Sequence, residues 1–552
     1  MLRAAAALAA GFSLAACATI GAPPQPRQSG AYADYLIGRV ANERNDHTAA
    51  ADRYFAALTR APDDATLLNG ALVASLAAGD EARARRAARM AARNDAPAYA
   101  HLIRGADAIV ARRWNVAGRE LQQAEGLAAE ELVARMLLVW ARTGEGRVDD
   151  VTVDLAPLAQ IRPYGGLFAY QQAMALDYAG RREEALSAYE TALQGGLWLP
   201  AGIERHADLL VRMGDRENAI RLLSAEVNRP NPALMAALER VQAGSAAAAE
   251  PLTPARGAAI GLYGISAVFL QESDSTNGLA ALTLALMLDP AFDGARLAFA
   301  QQQTRIGHID AARRMLASVS ADSPYHGSAR VMESWALLDS GAEAEAIALA
   351  QANAESGDTR ATRTLADMYR NLGRYDEAEP IYTRLIAQHG DDWRLYFARA
   401  NARERLGRWP EAEADLQRAL ELSPEQPDVM NYLGYSWVDR GENLQEGLAM
   451  IRRAVDLRPT SGAIIDSLGW AYYRMGDYAQ ALDQLERAVE IEPADPTLND
   501  HLGDVYWRLG RRIEARFQWQ RALTLEPDNA EAIRAKLENG LPAPAPSHSA
   551  NR

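Results

Sequence analysis

Eight histidines, one cysteine and 72 Asp and Glu side chains are the groups of this 552-residue sequence that could do acid–base, nucleophilic or metal chemistry. Their spacing assembles none of it. His47, His101, His206, His308, His326, His389, His501 and His548 stand far apart, with no HExxH pair to seat a zinc ion on one helix face. Cys17 is the sole thiol, so neither a paired zinc motif nor an internal disulfide can form. No GxSxG elbow occurs, and no glycine-rich phosphate loop follows a strand-like run. Carboxylates at helical spacing beside arginines read as solvated faces with i,i+4 pairs. The expectation is a non-enzymatic chain with no cofactor and no metal. A net charge of −14 argues against nucleic acid as a partner, because binding phosphates needs a basic surface. The acidity is concentrated late: residues 259–532 hold 27 arginines against 42 acidic side chains.

The elements behind these residues follow from a repeat. The run Leu468-Gly469, Tyr472, Ala481, Leu485, Ala488, Pro493 recurs as Leu502-Gly503, Tyr506, Ala515, Trp519, Ala522, Pro527, each step 34 residues long. Leucine and the aromatic share one face of a first helix. The small residue lets a second helix approach, glycine supplies the turn and proline stops the unit. This pattern resembles the tetratricopeptide repeat, which implies an all-α solenoid of helix–turn–helix units. The small position can be followed back from Ala515 through Ala481, Gly447, Ala412, Ala378, Ala346, Ala312 and Gly278. It continues through Ala219, Ala185, Val151, Ala117, Ala84 and Ala50, almost always in steps of 32–35 residues. The one long step, Ala219 to Gly278, predicts a spacer at 233–256 between an N-terminal degenerate array (31–232) and a C-terminal array (257–532). Residues 533–552 are expected as a capping helix and a disordered tail.

Large side chains not required between repeats are the candidates for binding. In the resembled family the first helix of each unit lines a concave groove. Helical phase from Leu468 and Tyr472 then places Asp466, Trp470, Tyr473 and Arg474 on it, and Asp500, Asp504, Trp507 and Arg508 one unit later. Earlier units contribute Asn431 and Tyr435, Phe397 and Asn401, and Arg363 and Arg370. Tyr435, Trp470 and Trp507 line up as aromatic anchors of the type that dominates protein interfaces. Packing against neighbouring helices is the alternative use of the same rings.

The N-terminus reads as an address. A positive start (Met1-Leu2-Arg3), an apolar stretch from Ala4 to Ser13 and Leu14-Ala15-Ala16-Cys17 fit a secretory signal rather than a membrane span, which needs about 20 apolar residues. The last four resemble a lipobox. That implies a signal peptide at 1–16, lipidation of Cys17 and a linker at 17–30. Ala18 follows the cysteine, with no Asp to hold the protein at the inner membrane, so the outer membrane facing the periplasm is expected.

The run Asn431-Tyr432-Leu433-Gly434-Tyr435-Ser436-Trp437, followed by Asp466-Ser467-Leu468-Gly469-Trp470 and His501-Leu502-Gly503-Asp504-Val505-Tyr506-Trp507, adds more. With the lipobox and the long array, it resembles adaptor lipoproteins of carboxyl-terminal processing proteases. That resemblance implies a scaffold that brings such a protease to peptidoglycan hydrolases. The alternative is a structural lipoprotein of an exopolysaccharide-export or pilus-assembly machine.

Overall fold

The computed structural model describes residues 30–91, 96–124, 128–161, 164–226 and 231–542. Cys17, the signal peptide, nearly all of the linker and the tail from 543 lie outside the described residues. Among the described residues there are thirty α-helices, one short 3-10 turn and no strand. By contact the chain divides into unit 1, up to Ala336, and unit 2, from Leu337.

In unit 1 the helices pair as α1 (Ala31–Glu43) with α2 (His47–Leu58), α3 (Ala65–Ala77) with α4 (Glu81–Met90), and α5 (Ala98–Val110) with α6 (Trp114–Gln122). Then come α7 (Ala128–Gly144) with α8 (Val148–Leu155), α9 (Gly165–Tyr178) with α10 (Arg182–Gln194), and α11 (Pro200–Arg212) with α12 (Arg216–Glu226). A single helix, α13 (Pro232–Gln242), follows. After it come α14 (Pro254–Gln271) with α15 (Ser275–Leu288), and α16 (Asp293–Arg305) with α17 (Ile309–Ala317). The division between units falls inside α18 (His326–Asp339).

Unit 2 continues with α19 (Glu343–Ala354), then α20 (Thr359–Asn371) with α21 (Tyr375–Gln388), and α22 (Trp393–Arg405) with α23 (Trp409–Leu422). It ends with α24 (Pro427–Arg440) and α25 (Leu444–Leu457), α26 (Gly462–Arg474) and α27 (Tyr478–Ile491), α28 (Pro496–Arg508) and α29 (Arg512–Thr524), and the lone α30 (Ala530–Asn539).

Local chemistry sets these boundaries. Aspartates at helix starts, among them Asp64, Asp274, Asp477 and Asp495, accept hydrogen bonds from first-turn N–H groups that have no partner within the helix. Gly476 and Gly510 end first helices with φ of 81° and 80°, a conformation that a Cβ would strain. All fourteen small positions of the repeat lie in the second helix of a pair, and all are buried. At Gly434 and Gly447 the two helices come so close that a Cβ on either would sit 2.7 Å from the other's carbonyl oxygen.

The segment read as a spacer is not a joint between two arrays. Its helix α13 is capped by Asn231 and packs on α11 and α12. The next pair, read as the start of the second array, turns back into unit 1: α14 packs on α7, α9 and α5, and α15 on α3 and α5. The reason is in the side chains. From Gly278 to Leu288 every residue of α15 is buried, and a helix apolar on all sides has to be enclosed.

Candidate protein-binding face

First helices pack on first helices: α3 on α5, α5 on α7 and α7 on α9 in unit 1, and α24 on α26 and α26 on α28 in unit 2. Each unit therefore presents a row of first helices, the surface on which a repeat array can hold another chain.

In unit 1 that row is occupied by the chain itself. Besides the apolar packing of α14 and α15, polar groups fix the arrangement. Thr283 Oγ1 donates to the Leu76 carbonyl at 2.7 Å, and Gln303 Nε2 donates to the Ala77 carbonyl at 2.9 Å. Tyr99 Oη donates to Asn277 Oδ1 at 2.5 Å. Gly257 lies against the Trp140 indole so closely that a Cβ would fall 2.1 Å from the ring. The indole nitrogen donates to Gln171 Oε1 at 2.7 Å. Together these contacts cover the stretch of the row from α3 to α9.

Unit 2 differs from end to end. At its C-terminal end α30 returns over the last first helix. Lys536 Nζ donates to Asp500 at 2.7 Å and to Asp504 at 2.9 Å, and Asp504 also accepts from Trp519 Nε1 at 2.9 Å. Burial raises the Asp504 carboxyl above its ordinary range against the pull of Lys536. Trp507 lies tilted against Trp519, under the Arg512 guanidinium, and is covered by Gly540. Arg508 donates to Tyr473 Oη at 3.1 Å. Asp500, Asp504 and Trp507, expected on the groove, thus hold the cap. Helical phase is blind to a helix that comes back over the face it assigns.

One unit earlier, Trp470 is stacked between Tyr473 (4.7 Å between ring centres) and His501 (4.1 Å). Its indole nitrogen is buried without an acceptor. Asp466, also buried, accepts from His501 Nδ1 at 2.9 Å. Burial pushes the imidazole down, but Asp466, with Asp504 and Asp500 beyond it, more than restores it, and His501 stands above its ordinary 6.5. His501 and Lys536 were not among the expected site residues. The signal was present for Lys536: it is the single lysine of the chain.

From α20 to α24 the row is more open. Phe397 meets Tyr432 edge-on at 5.8 Å, and Trp393 lies 6.5 Å from Phe397. Asn401 Nδ2 donates to Tyr432 Oη at 3.2 Å. Tyr435 is half-buried, and its hydroxyl is pushed up to about 12 by burial, with Asp439 and Asp466 adding to it. Asn431 Oδ1 is buried without a donor. Arg363 stands between Asp367 (3.6 Å) and Asp392 (3.4 Å), and Arg370 Nε donates to Tyr382 Oη at 3.3 Å. Both guanidiniums keep about a third of their surface in solvent.

Family models of the tetratricopeptide repeat match residues 166–254, 363–427, 397–462 and 469–510. The chain is a tetratricopeptide-repeat solenoid. Over 116 residues it is 29% identical to a TPR repeat-containing protein of Pseudomonas aeruginosa, a match covering 21% of this chain and 20% of that one. Over 144 residues it is 32% identical to the tetratricopeptide repeat-containing protein trd-1 of Caenorhabditis elegans, covering 21% and 18%. The chain thus spans about a fifth of the length of each of these relatives. Among solved structures, a tetratricopeptide repeat protein from Parabacteroides merdae aligns over 45% of this chain and 97% of its own, at 16% identity and a TM-score of 0.38. A TPR protein of Thermus thermophilus aligns over 33% and 98%, at 21% identity and a TM-score of 0.30. Repeats of this kind are a scaffold architecture without catalytic machinery, and their general capacity is to bind proteins.

Proposed function

We propose that the chain is a lipid-anchored scaffold on the periplasmic side of the outer membrane that uses the α20–α24 row of unit 2 to bind partner proteins. In this reading the partners are a carboxyl-terminal processing protease and its peptidoglycan-hydrolase substrates. The observation that carries the choice of face is the contrast between rows. In unit 1 the row of first helices is filled by α14 and α15. In unit 2 the aromatic and guanidinium groups of α20 to α24 remain part-exposed. An extended peptide or a helix laid there would cover Phe397 and Tyr435, and rings of this type supply most of the energy of an interface. Holding a protease and its substrate on one anchored chain raises their effective concentration for each other. The Leu14–Cys17 run supports the anchor, since two or more acyl chains make membrane attachment stable.

The test is a pull-down. The chain carries a C-terminal tag, native membranes are solubilised in mild detergent, and co-purifying proteins are identified by mass spectrometry. The expected result is a periplasmic serine protease together with cell-wall hydrolases, reduced by Tyr435→Ala. Recovery of an export or pilus component instead would overturn the protease assignment and leave the scaffold.

A further inference from the structure

Unit 1 contains a cavity of about 290 Å³, partly open to solvent. It lies where α11, α13 and α14 meet the turn between α15 and α16 and the loop before α18. Its polar wall holds Glu204, Arg205, Arg240 and Arg256, and its apolar wall includes Ile260, Phe292 and Tyr325. Such a volume is at the lower end of small-molecule sites, roughly 300–1,000 Å³.

The charges around the cavity do not balance. Arg205 is 2% exposed, yet no carboxylate forms an ion pair with it among the described residues. Its Nη1 donates to the Glu250 carbonyl at 2.7 Å, and its Nε is buried without an acceptor. The neighbouring carboxylates are engaged elsewhere. Glu204 accepts from Arg240 at 2.9 Å, and Asp293 is paired with Arg296 at 3.0 Å. Asp289 faces Arg256 at the looser distance of 3.6 Å. Asp208 takes Arg212 and the Ala248 N–H, while the side chains of Glu250 and Asp322 are in solvent. Arg240 is thus matched by Glu204 and Arg256 by Asp289, while Arg205 has no paired carboxylate among the described residues. Burial lowers the Arg205 pKa and raises that of Glu204, as expected of a desolvated site. A buried, unpaired cation is expensive, and an anion delivered into the cavity would relieve that cost.

We propose that this cavity is a binding site for a small organic anion: one carboxylate, seated on Arg205 and Arg256, carried on a compact apolar body that lies against Ile260, Phe292 and Tyr325. The single missing negative charge favours a monoanion over a phosphate, whose second charge would go unmatched. The apolar wall favours a hydrocarbon or aromatic body over a sugar.

The experiment uses the full chain with 4-fluorobenzoate as the probe, read by fluorine NMR line broadening and by isothermal titration calorimetry. One saturable site is expected, with an affinity weakened about tenfold or more by Arg205→Gln, which removes charge-assisted hydrogen bonds. Arg205 is deep enough that its replacement could disturb folding. Arg256→Gln, at a partly exposed residue, is the second variant, and circular dichroism checks that it is folded. It should weaken the probe several-fold. No saturable binding up to about 10 mM, a concentration far above a weak millimolar site, would overturn the proposal. So would unchanged binding in a folded Arg256→Gln, or inorganic phosphate displacing the probe as well as unlabelled benzoate does.

Discussion

A single ammonium ion between two buried carboxylates secures the C-terminal end of the stack. Lys536 forms ion pairs with both Asp500 and Asp504, so Lys536→Met leaves two like charges facing each other under α30. The cost should be about 2–3 kcal/mol, the size of a lost charge-assisted contact. Hydrogen exchange should locate it as lost protection in α28 to α30. The pH dependence has a definite sign. Asp504 already holds its proton more tightly than an unfolded aspartate, and removing Lys536 strengthens this, so acidification toward pH 5 should restore part of the variant's stability. His501 acts in the opposite sense. Its raised pKa contributes stability that is present below 6.5 and fades as pH rises through the folded-state value. His501→Gln should flatten this dependence in thermal melts recorded from pH 5.5 to 8.5, leaving a melting temperature that no longer falls across the range. At this scale the sequence was partly legible. The phase of the 34-residue repeat put Asp466, Asp500 and Trp470 on the first-helix face. It did not reveal that His501 would complete a stack with Trp470, because that contact joins two successive repeats of unit 2 whose relative rotation no single helix encodes.

Between helices, the small positions decide how closely a pair can close, and this was the most legible part of the molecule. Fourteen residues read from one spacing all became buried contacts in second helices, since only a small side chain fits there: alanine or glycine at thirteen of them and valine at Val151. The same geometry separates two glycine substitutions of identical chemistry. A Cβ on Gly503 would lie 2.5 Å from the Trp519 ring, whereas one on Gly118, within α6, would meet nothing within 4 Å. Gly503→Ala should destabilise unit 2 by about 1–3 kcal/mol through overpacking. Gly118→Ala should be neutral or stabilising by up to about 1 kcal/mol, from helix propensity. Denaturant midpoints measured on both variants decide this; equal shifts would mean that the crossing relaxes without cost. The pair α14–α15 was harder to read. Its spacing fits the repeat and by itself points to the first repeat of a second array. The stronger signal was composition: a run such as Ala280-Ala281-Leu282-Thr283-Leu284-Ala285-Leu286 offers water no polar face.

For the molecule as a whole, the consequence is that repeat number does not measure binding surface. Unit 1 contains most of the repeats, yet its first-helix row packs on α14 and α15, with Thr283 of α15 and Gln303 of α16 donating to carbonyls of α3. Lifting those helices away would expose their apolar side chains and strand the bonded backbone groups, each at about 1–3 kcal/mol. A partner would have to repay all of this before gaining affinity. In unit 2 the α20–α24 row asks for no such exchange, so binding there should leave unit 1 untouched. Hydrogen exchange on the full chain, with and without the captured partner, separates the two routes. Protection gained on α20 to α24 with α14 and α15 unchanged is the expected footprint. Faster exchange in α14 and α15 on binding would instead mean that the partner takes their place, and that the filled row is a latch rather than a core.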